Sequence, residues 1–240
     1  MAKSSSVSGK LPEPHLSAYG DSAVYLSYES SGYNAAITTA VQNLAATLRV
    51  SRDWEDVVSG YDSLVASFNP AAISPDDARV RLEAALKANT KTRGATKSKT
   101  IDVPVYYGGI YGADMEAIRK SSGLSEAAII KAHSAQPYRI CMMGFIPGFT
   151  FLSQAPKALH HSRHSSPRLS VPAGSVGIAG WQTGIYGQSS PGGWQIIGRT
   201  PLTIFDASRP SPFLWETGDY LRFVPQSGDF PEVSSEKARS

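Results

Sequence analysis

The sequence predicts an α+β protein in two parts: a small N-terminal α+β unit, then a closed or nearly closed β-barrel. Three observations carry that prediction. Helical periodicity is confined to residues before Tyr138. Glycine (21) and proline (16) gather in the second half, where they punctuate short apolar runs. Between the halves, residues 89–100 (NTKTRGATKSKT) hold no apolar residue except Ala95, which suits a boundary and not a core element.

Residues 1–14 are polar and proline-bearing, a loose tail. The N-terminal unit is expected over 15–90. It begins with a short strand, a Gly20-Asp21 turn and a second strand over Ala23–Tyr28. Asn34–Val50 places Ile37, Ala40, Val41, Leu44 and Leu48 on one helical face. Val57–Phe68 reads as two strands around Gly60. The next helix starts at a Ser74 N-cap, with Pro75 in the first helical position and Asp76 and Asp77 in the first turn, and runs to about Lys87. Two helices and four strands in so short a span suggest helices laid on one face of an antiparallel sheet.

After a 91–100 linker, the second unit is expected over 101–230, with 231–240 as a flexible tail. Ile101–Tyr107 alternates as a strand. Helices are expected at about Ala113–Lys120 and, behind a Ser125 cap, Ser125–His133. Short strands follow at Tyr138–Met143, Ser175–Ile178, Gln195–Ile197, Leu202–Phe205 and Tyr220–Val224, a spacing that suggests a barrel.

Composition excludes several function classes. A net charge of +3 is too weak to imply nucleic acid, and the basic run Lys87, Lys91, Arg93, Lys97, Lys99 reads as a solvated linker. One cysteine, Cys141, permits no intrachain disulfide and fits a buried small hydrophobe. No apolar run has the length of a membrane span and the N-terminus lacks a secretory core, so a cytoplasmic protein without a membrane partner is expected. No Gly-x-Ser-x-Gly elbow is present.

The densest motif is Gly144–Leu152 (GFIPGFTFL). Glycine and proline fix its backbone, and its phenylalanines suit either a rigid turn pinned into the core or a pocket wall. Phe145, Pro147, Gly148 and Phe149 are therefore candidate binding residues. Pro172–Gly180 is glycine-rich but has no dinucleotide spacing. Gly193–Thr200 imitates a phosphate loop, yet Pro201 leads toward a strand and not a helix. Ser190, Gly192 and Gly193 would form an anion-facing turn or an ordinary one, with Trp194 and Arg199 beside it as further candidates. His160, His161 and His164 lack a completing ligand and read as a solvated loop, so no metal site is assigned. His133, at a helix C-terminus that favours the imidazolium, faces Tyr138 across the Gln136-Pro137 turn. The pair suits proton transfer or a cap interaction.

Taken together, GFIPGFTFL, Pro167-Arg168 with Val171–Gly180, Gln182–Tyr186 (QTGIY), Ser190–Pro201 and Gly218–Phe223 resemble one family. It is variously called the B-type subunit of 5-oxoprolinase, allophanate hydrolase first subunit or sporulation-kinase inhibitor, and a related domain occurs in the carboxyltransferase part of urea amidolyase. Tyr19-Gly20-Asp21 and Val58–Phe68 extend the resemblance into the N-terminal half. It implies a cyclophilin-like barrel. It also implies a larger homologous partner subunit, often a third protein, and ATP-dependent cleavage of 5-oxoproline to glutamate. Allophanate hydrolysis, a urea carboxylase-type carboxyltransferase and a non-catalytic sensor-kinase inhibitor are the other activities it allows. Two departures stand out: Leu159–His164 replaces a usual Pro-Arg, and Gly187 follows Tyr186 where proline is usual.

A lactam is a poor electrophile, and phosphorylating its amide oxygen creates a leaving group, which would be the reason for ATP. On that reading Arg168 and Ser190–Gly193 contact phosphate or carboxylate, Gln182 and Thr183 bond the amide, and His133 and Tyr138 move protons. Phe145, Phe149 and Trp194 wall the pocket. The Mg²⁺ that accompanies ATP has no ligand set in this sequence and is expected on, or shared with, the partner.

Overall fold

A computed structural model describes residues 11–30, 32–89 and 98–231. The chain divides into two compact units, Met1–Ala95 and Thr96–Ser240. The expected linker falls mostly on residues outside the described set, as do most of both expected tails.

The first unit contains β1 (His15–Ala18), β2 (Ala23–Ser27), α1 (Ala35–Val50), β3 (Asp56–Ser59), β4 (Ser63–Ser67) and α2 (Pro75–Asn89). Its antiparallel sheet has the order β1-β2-β4-β3. Asn34 starts α1 by accepting the backbone N–H groups of Ala36 and Ile37. The Ser74 hydroxyl accepts the Asp77 N–H at 3.1 Å and donates to the Asp77 carboxylate at 2.7 Å, fixing the first turn of α2. The predicted stripe buries Ile37, Val41, Leu44 and Leu48 against Leu26, Leu64 and Leu82. Leu11, expected in the loose tail, packs on this core.

The second unit contains β5 (Thr100–Tyr107), α3 (Met115–Ser122), α4 (Glu126–Ser134), β6 (Tyr138–Met143), β7 (Thr150–Gln154), β8 (Arg168–Val171), β9 (Ser175–Ala179), β10 (Gln182–Ile185), β11 (Ser190–Gly192), β12 (Gln195–Arg199) and β13 (Tyr220–Gln226). Seven of these strands close a barrel in the order β10-β7-β6-β13-β5-β12-β9, with β9 and β10 pairing to complete the ring. Only β13–β5 is parallel. Val103, Ile140, Leu152, Ile178 and Phe223 fill the interior, joined by Ile118 of α3 and Ile129 of α4.

The expected strand at Leu202–Phe205 does not form. Phe205 makes only an isolated bridge to Phe213. Its natural neighbour β12 is already paired on both sides, with β5 and β9, so the closed ring offers no edge. Ile204 is nevertheless buried in the barrel core.

Candidate functional site

The Gly144–Phe149 loop is two consecutive turns. The Ile146 N–H donates to the Gly144 carbonyl at 2.9 Å, which places Phe145, at φ +69°, in the centre of a three-residue γ-turn. The Phe149 N–H then donates to the Ile146 carbonyl at 3.1 Å. Pro147 and Gly148, the latter at φ +77°, occupy the central positions that a type II turn requires. Gly148 has no room for a side chain, since a Cβ would stand 2.8 Å from that of Phe205. A Cβ on Gly187 would overlap the Gly148 backbone. This close approach suits glycine after Tyr186.

This loop delivers Phe149 to an aromatic cluster on the outside of the barrel. Its ring lies 4.5 Å from Phe151, 4.8 Å from Tyr186 and 5.2 Å from Trp194, with tilted or edge-to-face geometry. Strand alternation makes the outer face. On β10, Thr183 and Ile185 point into the barrel, whereas Gln182 and Gly184 point out. A Cβ on Gly184 would come within 3.1 Å of the Trp194 ring, so glycine lets the indole lie flat on the sheet.

Above these rings opens a cleft of about 520 Å³, within the size range of small-ligand sites. Phe145, Phe149, Trp181, Tyr186 and Trp194 form its aromatic walls, and Ser162, Arg163 and Gln182 are its polar lining. Arg163 has no ion-pair partner among the described residues and is exposed at the cleft. Burial raises the Tyr186 phenol, opposed by a backbone hydrogen bond from Trp194 and the charges of Arg163 and Arg168. The group is therefore a neutral hydroxyl at physiological pH.

Arg168 stands behind the cleft. Its guanidinium donates to Asp114 Oδ1 at 2.5 Å and reaches the Trp194 carbonyl at 3.5 Å. Asp114 is buried and also accepts the Ile196 N–H at 2.6 Å and bonds His164 Nε2 at 3.1 Å. Burial pushes its carboxyl up, but the bonds from Arg168, Ile196 and His164 outweigh it and hold the pKa below the ordinary value. Although Asp114 is the N-cap residue of α3, its side chain makes no cap bond, being committed to β12 and Arg168.

His133, Tyr138 and Thr183 lie inside the barrel and not at the cleft. His133 is fully buried and packs on the rings of Phe223 at 4.6 Å and Tyr138 at 5.5 Å, which also touch each other at 5.5 Å. Its Nδ1 meets the Tyr107 hydroxyl and its Nε2 the Thr183 hydroxyl, each at 2.8 Å. Thr183 donates its proton to the Gly177 carbonyl at 3.0 Å, so it accepts from Nε2–H, and Nδ1 accepts from Tyr107. The ring is thus a neutral Nε2–H tautomer. The imidazolium expected from the helix terminus is overturned, because burial lowers the pKa to about 3. Tyr138 donates to the His133 carbonyl at 2.8 Å, the cap interaction considered from sequence.

The remaining candidates separate. Ser190–Gly192 is strand β11, paired with β8, and neither the anion-facing nor the ordinary turn that the sequence offered. Gly192 lines the cleft, and a side chain there would overlap the Tyr186 ring. Ser190 is buried, its hydroxyl donating to the Pro191 carbonyl, and the Gly193 carbonyl accepts the His164 N–H. Arg199 donates to the Ala173 carbonyl at 2.8 Å and lies over Phe230. Pro147 shapes the loop. Sequence reasoning missed Arg163, hidden among three histidines, and Asp114.

A closed barrel carrying an external aromatic cleft with a free arginine defines a class distinct from phosphate-loop and dinucleotide-binding folds. Residues 14–215 match the model of the carboxyltransferase domain, subdomains C and D, and the chain belongs to that family, which it shares with the B-type subunit of 5-oxoprolinase. It is 48% identical over 130 residues to that 5-oxoprolinase subunit of Escherichia coli O157:H7, a match covering 54% of this chain and 60% of that protein. Among solved structures, TTHA0988 superposes with a TM-score of 0.74 at 33% identity, over 88% of this chain and 40% of that one. The K. lactis urea amidolyase shares the fold, with a TM-score of 0.74 at 17% identity, over 90% of this chain and 15% of that one. The curated match thus reaches less than two thirds of the relative's length. Among the described residues no helix is long and apolar enough to cross a membrane.

Proposed function

We propose that this chain is one subunit of an ATP-dependent amide hydrolase that cleaves 5-oxoproline to glutamate, and that the external cleft holds the substrate. The single observation that carries the reading is the free Arg163 in a cleft otherwise walled by aromatic rings. 5-Oxoproline is a flat lactam bearing one carboxylate. Arg163 would take the carboxylate, Gln182 would hydrogen-bond the amide, and the rings of Phe149 and Trp194 would pack on the lactam. The 48% identity to a 5-oxoprolinase subunit supports the same substrate. Cytoplasmic location and a cyclophilin-like description of the barrel belong to this reading too.

The residues present do not fit ATP with Mg²⁺. The cleft lining includes no Asp or Glu, whereas Mg²⁺ beside nucleotide phosphates is held by one or two carboxylates. The expected phosphate contacts are occupied: Arg168 is committed to Asp114, and Arg199 to Ala173. We therefore assign the nucleotide and its metal to a homologous partner subunit, with room for a third protein that delivers substrate, and derive no step through them. TTHA0988 supports a partner, since this chain covers only 40% of it.

The test is affinity purification of the tagged chain from its own cells, followed by assay of the product. A stoichiometric partner and ATP-dependent release of glutamate from 5-oxoproline are expected. Recovery of the chain alone, or with a sensor kinase, would overturn the subunit reading. Ammonia release from allophanate, or avidin-sensitive carboxyl transfer, would reassign the substrate.

A further inference from the structure

Phe145 combines features that seldom occur together. Among the described residues only Arg52 and Phe145 are non-glycine residues at positive φ. Arg52 directly follows the Ser51 cap of α1, where a left-handed residue ends many helices. Phe145 has no such excuse: it centres a γ-turn at φ +69°, a conformation bulky side chains avoid. Glycine would fit without strain. Yet the position carries a phenylalanine that is 66% exposed at the cleft, so core packing does not account for the strain. The inward part of the ring rests edge-to-face on buried Phe149, with centroids 5.7 Å apart. Strain held at a cleft rim for one edge-to-face contact, with most of the ring left bare, points to a ligand contact.

We propose that Phe145 is a specificity-determining residue of the cleft, a rim ring that covers the flat face of a bound cyclic amide and favours the closed ring over its open-chain hydrolysis product. The inference rests on the reading of the cleft as the substrate site. A flat lactam can bury the exposed phenyl face, while an open-chain amino acid offers no matching plane. The product would therefore leave without disturbing this contact.

The full chain assembled with its co-purified partner is titrated with 5-oxoproline and with glutamate, following the fluorescence of Trp181 and Trp194, and KM and kcat are measured. Phe145→Ala and Phe145→Gly should each raise KM for 5-oxoproline by about tenfold or more, with kcat changed less. Preference over glutamate should shrink correspondingly, and Phe145→Tyr should restore most of the affinity. The melting temperature of Phe145→Gly should hold or rise, because glycine relieves the strained φ. A large fall in melting temperature would make the ring a structural plug and overturn the proposal. Should Phe145→Gly leave KM within twofold in a complex that does bind 5-oxoproline, the rim contact fails while the substrate reading survives. If the unsubstituted complex neither binds nor cleaves 5-oxoproline, both fail together.

Discussion

On β10, Gln182 faces an open cleft, while Thr183, the next residue, faces a closed hydrogen-bonded core. The two sides of this strand hold similar material, aromatic rings around a few polar groups. Inside, His133, Tyr107 and Thr183 satisfy one another, with the Thr183 proton passed on to Gly177. Outside, Arg163 has no counter-charge among the described residues and Phe145 is two-thirds bare. A satisfied polar set surrounded by rings is architecture, whereas an unsatisfied one surrounded by rings is a place for a ligand.

That contrast is broken most directly at His133. Replacing it with alanine leaves a cavity beside the Tyr138 and Phe223 rings and strands the Tyr107 and Thr183 hydroxyls. We expect a loss of about 3–5 kcal/mol in urea unfolding, more than at Asp114 or Arg163. A loss below about 1 kcal/mol would show that the inner set is not structural. The same residue gives the protein an acid limit. Its pKa is about 3 when folded against 6.5 in the open chain, so between those values the unfolded state binds a proton that the folded state does not. Stability is therefore full above pH 6.5 and falls on acidification, by at most about 1.4 kcal/mol per pH unit from this group. The variant should lose that part of the slope.

Asp114 ties β12 to Arg168 behind the cleft. Asp114→Ala leaves the Ile196 N–H and the guanidinium without their acceptor and should cost about 2–3 kcal/mol, less than a fully buried pair because Arg168 is partly exposed. Its lowered pKa adds stability that is present above the ordinary carboxylate range and lost as pH falls through the folded value. Arg168→Ala should cut turnover of the assembled complex at least tenfold by loosening the Trp194 wall. Turnover near that of the unsubstituted complex would detach Arg168 from the site.

The first unit was legible from its pattern because its signals are local. Ser74 caps α2 as read, and the apolar stripe of α1 is the buried face. In the barrel the period-two signal fades. β9 is buried at all five positions and β11 is only three residues long, so neither shows alternation. Family resemblance, and not pattern, singled out the segments containing β8 and β10, and the β11 segment was read as a turn. Of the cleft, Phe145, Phe149, Gln182 and Trp194 were legible as motif residues. His133 and Tyr138 were paired as read, but both lie inside the barrel. Chain proximity does not tell which face of a sheet a neighbour occupies. Asp114 gave no signal beyond its position near a helix start.

Arg163→Ala has the smallest expected effect on the fold and is the sharpest test of the contrast. The side chain is exposed and has no ion-pair partner among the described residues, so removing it should change unfolding stability by no more than about 0.5 kcal/mol. If the outer cleft binds a carboxylate through this guanidinium, KM for 5-oxoproline should nonetheless rise by about tenfold or more. The comparison is with His133→Ala, where stability carries the whole loss. A variant of Arg163 that unfolds early, or one that binds 5-oxoproline as the unsubstituted complex does, would show that the free charge belongs to the surface and not to the cleft.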